Sequence, residues 1–253
     1  MLSNGGLRTH VIGLLISKHV LQLLYFDRSI FIISQPLKFI EHTRDFVALL
    51  LVLEGLSHTE WGIVRGLDVS FDVSRSSLSK PRLPSKDLFS KKSMKLSNGS
   101  VLRFEEILSR HHGLIGRGTC VIRASVVNPP AGRNPVVAVK ISSPASSRRS
   151  ETAILENARR KAIGEHTWVL SHLPEVLHHE DLDLANSPRS RLFQFFGDPD
   201  VYELRALRLL VFDELRPITE LTTAAVLAEA FREIYKCMSL QIPDPDRLTS
   251  DRL

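Results

Sequence analysis

Two strand-forming segments on either side of a short turn constrain the fold of this chain more than any other feature. The segments are TCVIRASVV and VVAVKISS, both rich in β-branched and apolar residues, and NPPAGRNP lies between them. β-Branched side chains favour the extended backbone of a strand, while Pro and Gly favour turns. A connection of this length suits two antiparallel neighbours. The sequence therefore predicts an antiparallel sheet in this part of the chain.

The first block of the chain predicts a smaller, strand-rich module. Three segments are strand-like, namely THVIGLLIS, HVLQLLYFDRS and IFIISQPL, and the letters DRS lie near a turn. A helix is expected to follow, because apolar residues recur at helical spacing and Gly55 lies where such a helix would stop. The apolar residues at that spacing are Phe46, Leu49, Leu50 and Leu53.

A basic segment separates this module from the rest of the chain. The net charge is +5 and the isoelectric point is near 9.4, and from Arg75 to Lys95 seven basic side chains meet the single acid Asp87. The segment is otherwise rich in Ser and contains two Pro, a composition typical of a poorly ordered linker. We assign residues 1–71 to an accessory module and 72–95 to the linker. Nucleic acid binding is an alternative role, but Phe89 alone could stack on a base.

The segment LIGRGTCVIRAS contains two glycines two positions apart, Gly116 and Gly118. Such a pair permits a tight turn whose backbone can approach a phosphate group closely. It also occurs in ordinary hairpin turns, because glycine is common in any tight turn. The choice between a phosphate cradle and a plain turn depends on the residues further along the chain.

Lys140 is the candidate cation of a nucleotide site. It ends the strand VVAVK, twenty-two residues beyond Gly118, from where its amine can reach the phosphates of a nucleotide under the glycine-rich turn. Glu151 is its expected partner, because two apolar residues three and four positions later share its helix face toward the sheet. Glu156 is a weaker rival. Two plainer interpretations stay open, since Lys140 can be a solvated charge at a strand edge and Glu151 an ordinary acid at a helix N-terminus.

A further buried strand is predicted in LRLLVFDELRPITEL and ends at Phe212. Asp213 and Leu215 follow, and backbone groups there could hydrogen-bond the edge of an adenine, as in the hinge of a protein kinase. Phe212 would then flank the back of the adenine pocket. TTAAVLAEAFREIYKC predicts a helix after this segment, opened by a threonine cap.

Taken in order, these segments resemble a known family. GRGT, VVAVKIS, RRSETAIL, GEHTWVLSHLPEVL and LRLLVFDELRPITEL are similar to segments of the fungal-type protein kinases of mushroom-forming fungi. The likeness extends to VIGLLISKHVLQLLYFDRS, SQPL, FVALLLVLEGLS and WGIVRGLD in the first block. It implies a protein-kinase fold with ATP and Mg²⁺ as ligands and phosphotransfer to Ser or Thr as the activity. The expected fold class is α+β, with a kinase-like N-lobe, an antiparallel sheet with one packed helix, after the strand-rich module.

The resemblance assigns the N-lobe, the hinge and the first C-lobe helix to residues 96–240 and a polar tail to residues 241–253. It implies nucleotide contacts by Gly116, Gly118, Lys140, Glu151, Phe212, Asp213 and Leu215. The glycine-rich turn departs from the kinase pattern, because Val121 stands where a third glycine is expected and Arg123 where a valine is expected.

Two tripeptides that kinase chemistry uses do not occur in the sequence. These are His-Arg-Asp, whose aspartate orients the acceptor hydroxyl, and Asp-Phe-Gly, whose aspartate holds Mg²⁺. We therefore expect the chain to end before the catalytic half of a kinase domain, to bind ATP weakly at most, to lack ligands for Mg²⁺ and to transfer no phosphate by itself.

A non-catalytic interaction module is the alternative function. In this hypothesis a protein partner binds the face that a C-lobe would otherwise cover, and an exposed apolar patch would mark that face. The chain has two cysteines without paired or metal-ligand spacing, which favours a reducing, intracellular compartment, cytoplasmic or nuclear. The apolar run from Val11 to Ile16 is far shorter than a membrane span of about 20 residues, so no membrane association is expected. Histidine pairs at 111–112 and 178–179 do not predict a metal site, because sequence neighbours point apart.

Overall fold

The computed structural model divides into two compact units. It describes residues 8–64, 66–67, 92–111, 113, 115–182, 188–196, 202–214, 220 and 222–239. The first unit contains the residues up to 156 together with 174–214, and the second contains 157–173 and the residues from 215 onwards. The candidate residue Leu215, the linker up to residue 91 and the tail 241–253 lie outside the described residues.

The first unit begins with a small antiparallel sheet. Its strands are β1 (His10–Ser17), β2 (Val20–Asp27), β3 (Phe31–Ile33) and β4 (Leu37–Lys38). β2 pairs with β1, β3 and β4. β1 and β2 are joined by a tight turn in which Lys18 adopts a φ of 53°. The three strand-like segments of the first block thus form the sheet that the sequence predicts.

A helix, α1 (Thr43–Glu54), follows this sheet. Leu53 is buried, and the ring of Phe46 lies 5.2 Å from the ring of Phe39. The helix ends where the sequence predicts, but Gly55 keeps a right-handed φ of −74°. The end of the helix therefore does not depend on the left-handed conformation that glycine makes accessible.

In the part of the chain that the structure describes, six antiparallel strands form the main sheet. They are β5 (Ser93–Lys95), β6 (Val101–Arg110), β7 (Cys120–Val127), β8 (Val136–Ser142), β9 (Val176–Leu182) and β10 (Leu207–Asp213). Their order across the sheet is β5, β6, β7, β8, β10 and β9. The Pro- and Gly-rich turn joins the antiparallel neighbours β7 and β8, as predicted. A hairpin at Asn98 and Gly99 joins β5 to β6, with Gly99 at a φ of 86°.

The main sheet curls so that its two edges approach each other. In the turn between β5 and β6, the backbone N–H of Ser97 donates to Oε2 of Glu180 on β9 at 2.9 Å. The inner surface carries the apolar core, which includes Met94, Leu102, Phe104, Ile122, Val137, Val139, Ile141, Leu209 and Val211. Because side chains alternate along a strand, Lys140 lies on the outer surface between two buried neighbours.

The remaining elements are helical. They are α2 (Glu151–Lys161), a 3₁₀ segment (Gly164–His172), α3 (Pro188–Phe196) and α4 (Ala224–Ser239). α2 begins after Ser150, whose hydroxyl accepts a hydrogen bond from the N–H of Ala153 at 3.1 Å. α4 begins after the predicted cap, with the N–H of Val226 donating to Oγ1 of Thr223 at 3.3 Å.

The fold class is α+β with antiparallel sheets, as predicted. One predicted boundary differs, because β5 pairs with β6 from Ser93 onwards and the linker therefore ends before residue 95. Met94 lies in the basic stretch, yet its side chain is 1% exposed and belongs to the core. Within the described ranges, no helix is long and apolar enough to cross a membrane.

Candidate functional site

The Lys140–Glu151 pair is the centre of the candidate site. The Lys140 amine donates to both carboxylate oxygens of Glu151, at 2.8 Å and 2.6 Å. Lys140 lies on β8 and Glu151 is the first residue of α2, while the rival Glu156 occupies an exposed position further along that helix. The structure therefore brings together the two residues that the sequence pairs, and nucleotide binding by them stays a prediction.

This pair is open to solvent on one side. The side chain of Lys140 is 29% exposed and that of Glu151 is 40% exposed. Ion pairs this exposed contribute about 0–1 kcal/mol to stability. Lys140 can therefore exchange its carboxylate partner for another anion without leaving a buried, uncompensated charge.

A pocket of about 320 Å³ lies beside the pair, between the start of α2 and strands β9 and β10. Its charged groups already have partners in the protein. Arg208 has Nε 3.2 Å from Oδ1 of Asp181, and its Nη1 donates to the carbonyl of Arg148 at 3.0 Å. Burial raises the pKa of Glu180, but hydrogen bonds from Ser97 and His178 outweigh it and hold that pKa below its ordinary value. These side chains stabilise the sheet.

The predicted hinge residues lie at the end of β10. Phe212 pairs with Ala138 of β8, two positions from Lys140. Val211, the residue before Phe212, is buried in the core. Because side chains alternate along a strand, Phe212 lies on the same outer face as Lys140. Asp213 is the last residue of the strand, and Leu215 lies outside the described residues.

An ion pair crosses this outer face next to Phe212. Arg123 pairs in register with Ala138, and its Nε lies 2.7 Å from Oε1 of Glu214, the residue after β10. From the sequence Arg123 stands out only as a departure from the kinase pattern, and nothing there indicates its partner.

The glycine-rich turn joins β6 to β7 and is held by a residue that the sequence did not single out. Gly116 and Gly118 have φ values of 99° and 52°, which favour glycine. Nη1 of Arg28 donates to the carbonyl of Gly113 at 2.5 Å. The N–H of Gly116 in turn donates to the carbonyl of Arg28 at 3.2 Å. The phosphate cradle stays a prediction. The bond of the Gly116 N–H argues against it, because this N–H already donates to the carbonyl of Arg28.

Asp27, next to Arg28, is fully buried at the end of β2. Its Oδ2 accepts hydrogen bonds from the hydroxyls of Tyr25 at 2.9 Å and Tyr202 at 2.6 Å. Its Oδ1 accepts from the N–H groups of Ser29 at 2.6 Å and Ile30 at 3.0 Å. The sequence predicts a turn here but carries no signal for Tyr202, which is 175 positions away.

The described residues contain no group of three or more His, Cys, Asp or Glu side chains that could hold a metal ion. His178 lies 3.3 Å from Glu180 and takes part in the closure of the main sheet. Burial raises the pKa of the Cys120 thiol, against the opposing effect of nearby Arg110 and Arg28. A buried thiol with a raised pKa is a poor nucleophile, so we assign Cys120 to the core.

Comparison with known proteins identifies a family. Neither a curated protein nor a solved structure matches the chain. The family model described as "Fungal protein kinase" matches residues 1–194, a range that includes the glycine-rich turn, Lys140 and Glu151 and ends before β10. Because the match covers 194 of the 253 residues, this chain belongs to the fungal protein kinase family.

Proposed function

We propose that residues 92–156 and 174–214 of the first unit form the nucleotide-binding lobe of a protein-kinase fold and that Lys140 binds the phosphates of ATP. The observation that carries this proposal is the contact of the Lys140 amine with both oxygens of Glu151, at 2.8 Å and 2.6 Å. In protein kinases a lysine on a strand pairs with a glutamate on the next helix when the nucleotide phosphates are held. Both residues lie in the range that the family model matches.

The order of the elements supports the same proposal. A glycine-containing hairpin, the lysine strand β8 and the glutamate helix α2 follow one another as the kinase pattern requires. β10 lies beside β8 and carries Phe212 on the same face as Lys140. The base and the phosphates of one nucleotide could therefore bind side by side on this face.

Two features of the site argue for weak binding. The ion pair of Arg123 and Glu214 occupies the surface beside Ala138 where a base would bind, and a base has to share or displace it. The N–H of Gly116 is already bonded to the carbonyl of Arg28. Lys140 is therefore the phosphate contact on which the proposal depends.

Phosphotransfer by these residues alone is not expected. Protein kinases use ATP and Mg²⁺, and they need one aspartate for the acceptor hydroxyl and a second group for the metal. The 253 residues contain neither His-Arg-Asp nor Asp-Phe-Gly. The part of the chain that the structure describes contains no group of three or more His, Cys, Asp or Glu side chains that could hold a metal ion. We assign nucleotide binding, and not catalysis, to this region.

A non-catalytic interaction module is a second candidate, and the surface of α4 favours it. Large apolar side chains are exposed in the described part of α4, and these are Val226, Leu227, Phe231 and Tyr235. Apolar patches on a protein surface often bind another protein. In this alternative a protein partner covers α4.

Calorimetric titration of the full chain with ATP tests the first proposal. Lys140→Met removes the cation but keeps a side chain of similar length, so it should weaken binding roughly tenfold or more while the sheet stays folded. Lys95→Met is the matched control, because Lys95 is an exposed lysine on the same sheet and its loss should not change the affinity for ATP. Absence of ATP binding by the unmodified chain, or equal affinity in all three proteins, would exclude Lys140 as a nucleotide ligand and favour the interaction module.

A further inference from the structure

We propose that the glycine-rich turn is a binding site for a guanidinium group and that its ligand is Arg28 of the same chain. The turn contributes Gly113 and residues 115–118, and Arg28 follows β2 in the first block. Both segments belong to the first unit. The proposal does not depend on nucleotide binding.

Arg28 is presented by a backbone that is fixed independently of its side chain. Oδ1 of the buried Asp27 accepts hydrogen bonds from the N–H groups of Ser29 and Ile30, which closes the turn after β2. The hydroxyl of Ser29 also donates to the carbonyl of Glu203 at 2.5 Å. The backbone of these neighbours therefore sets the direction in which the side chain of Arg28 projects.

The polarity of the contact suits a cation. The carbonyl of Gly113 accepts from Nη1 of Arg28 at 2.5 Å. A phosphate cradle has the reverse polarity, with N–H groups directed at an anion. Arg28 is 9% exposed, so this charge-assisted hydrogen bond is largely shielded from water.

The two glycines of the turn differ in the space around them. A Cβ atom on Gly118 would overlap the guanidinium carbon of Arg28, whereas a Cβ atom on Gly116 would meet nothing within 4 Å. Both residues have positive φ, so backbone conformation alone favours glycine at both positions. Close approach of a guanidinium gives a further reason for glycine at 118 only.

The opposite side of the turn is attached to the main sheet. The N–H of Ser143, just after β8, donates to the carbonyl of Arg117 at 2.7 Å. The turn is therefore held between the first block, through Arg28, and the strand that carries Lys140. Its mobility depends on a residue of the accessory module.

Hydrogen exchange of the backbone amides of residues 115–121, measured by mass spectrometry on the full chain, tests this proposal. Arg28→Ala should make exchange in this segment roughly tenfold to a hundredfold faster, because it removes a hydrogen bond from a charged donor. Exchange in β8 and β10 should stay as in the unmodified chain. Arg117→Ala is the matched control, since it removes the same charge from an exposed position of the same turn and should leave exchange unchanged.

Combining Arg28→Ala with the two glycine changes separates the guanidinium site from simple backbone strain. A methyl group on Gly118 displaces the flexible end of Arg28, so Gly118→Ala should accelerate exchange as Arg28→Ala does. The two effects should multiply only in part in the double variant, because backbone strain at Gly118 remains when Arg28 is absent. Gly116→Ala strains the backbone, but its methyl group meets no atom of the Arg28 side chain, and the bond of the Gly116 N–H to the backbone carbonyl of residue 28 remains in Arg28→Ala. Its effect should therefore multiply with that of Arg28→Ala instead of saturating.

Unchanged exchange in a folded Arg28→Ala variant, or equal acceleration in Arg117→Ala, would overturn the proposal. So would a Gly118→Ala effect that multiplies fully with that of Arg28→Ala. If Arg28→Ala does not fold, Arg28→Lys takes its place, because the ammonium group is smaller than the guanidinium. Gly118→Ala should then accelerate exchange less in the Arg28→Lys background than in the unmodified chain, and equal acceleration in both would overturn the proposal.

Discussion

Lys140 and Arg28 are two cations of the same compact unit in contrasting surroundings. The side chain of Lys140 is 29% exposed and pairs with a carboxylate that is 40% exposed. Arg28 is 9% exposed and donates to a backbone carbonyl. A partly exposed cation can exchange its partner with a ligand, whereas a buried cation that loses its acceptor remains desolvated and uncompensated. The contrast distinguishes a residue available for binding from a residue that holds the structure together.

Removing the buried carboxylate of Asp27, which fixes the backbone next to Arg28, should have the largest effect on stability. Asp27→Ala removes the acceptor of two tyrosine hydroxyls and two backbone N–H groups in a fully buried position. We expect the free energy of unfolding, measured with urea, to fall by about 3–5 kcal/mol. Asp27→Asn should cost roughly half as much, since the amide oxygen still accepts and the amide nitrogen can donate to the hydroxyls. A loss below about 1 kcal/mol for Asp27→Ala would contradict a structural role.

The contact that closes the main sheet, between Ser97 and Glu180, should have an effect of intermediate size on stability. Neither Lys140 nor Arg28 takes part in this contact. Burial raises the pKa of Glu180, but the bonds from Ser97 and His178 outweigh burial and hold that pKa below its ordinary value. A carboxylate with a lowered pKa stabilises the fold above its unfolded pKa of about 4.3, and this stability is lost as the pH falls through the folded value.

Glu180→Gln removes this titration and keeps the shape of the side chain. We expect it to lower the free energy of unfolding by about 1 kcal/mol at pH 7. The difference from the unmodified chain should shrink below about pH 4.3, where the carboxylate of the unfolded chain gains its proton, and should be lost as the pH falls through the lower folded pKa. Urea unfolding at a series of pH values measures the difference, and a value independent of pH would show that Glu180 does not act through its charge.

Neutralising the partner of Lys140 should have the smallest effect on stability. Glu151→Gln should lower the free energy of unfolding by less than about 1 kcal/mol, because both side chains of the pair are partly exposed. Salt should reduce that difference further by screening. A loss above about 2 kcal/mol would mean that Lys140 is held for structural reasons, and the contrast with Arg28 would disappear.

The Lys140–Glu151 pair could be predicted from the sequence because local patterns fix both residues. Alternation along β8 directs Lys140 outwards, and helical spacing places Glu151, only 11 positions later, on one face of α2 with the buried Leu155. Ile154, the other residue predicted for that face, is 53% exposed, so this part of the prediction is wrong. The Arg28–Gly113 contact spans 85 positions. The letters DRS predict a turn, but a turn pattern does not indicate which distant carbonyl its side chain will meet.

The closure of the main sheet was beyond prediction for a similar reason. The hairpin at Asn98 and Gly99 follows from a local signal, whereas the bond from Ser97 to Glu180 joins residues 83 positions apart and depends on the curl of the whole sheet. The end of the linker was misplaced because seven basic residues dominate its composition. That average conceals Met94, whose burial in the core makes its segment a strand.

The most direct test of the contrast between the two cations is to compare the ATP affinities of Arg28→Ala and Lys140→Met by calorimetric titration. We predict that Arg28→Ala keeps the ATP affinity of the unmodified chain within about twofold. Lys140→Met should lose roughly tenfold or more, because it removes the charge that we propose binds the phosphates. Equal losses in both variants, or a loss in Arg28→Ala alone, would show that nucleotide binding depends on Arg28 and would contradict the division between the two cations.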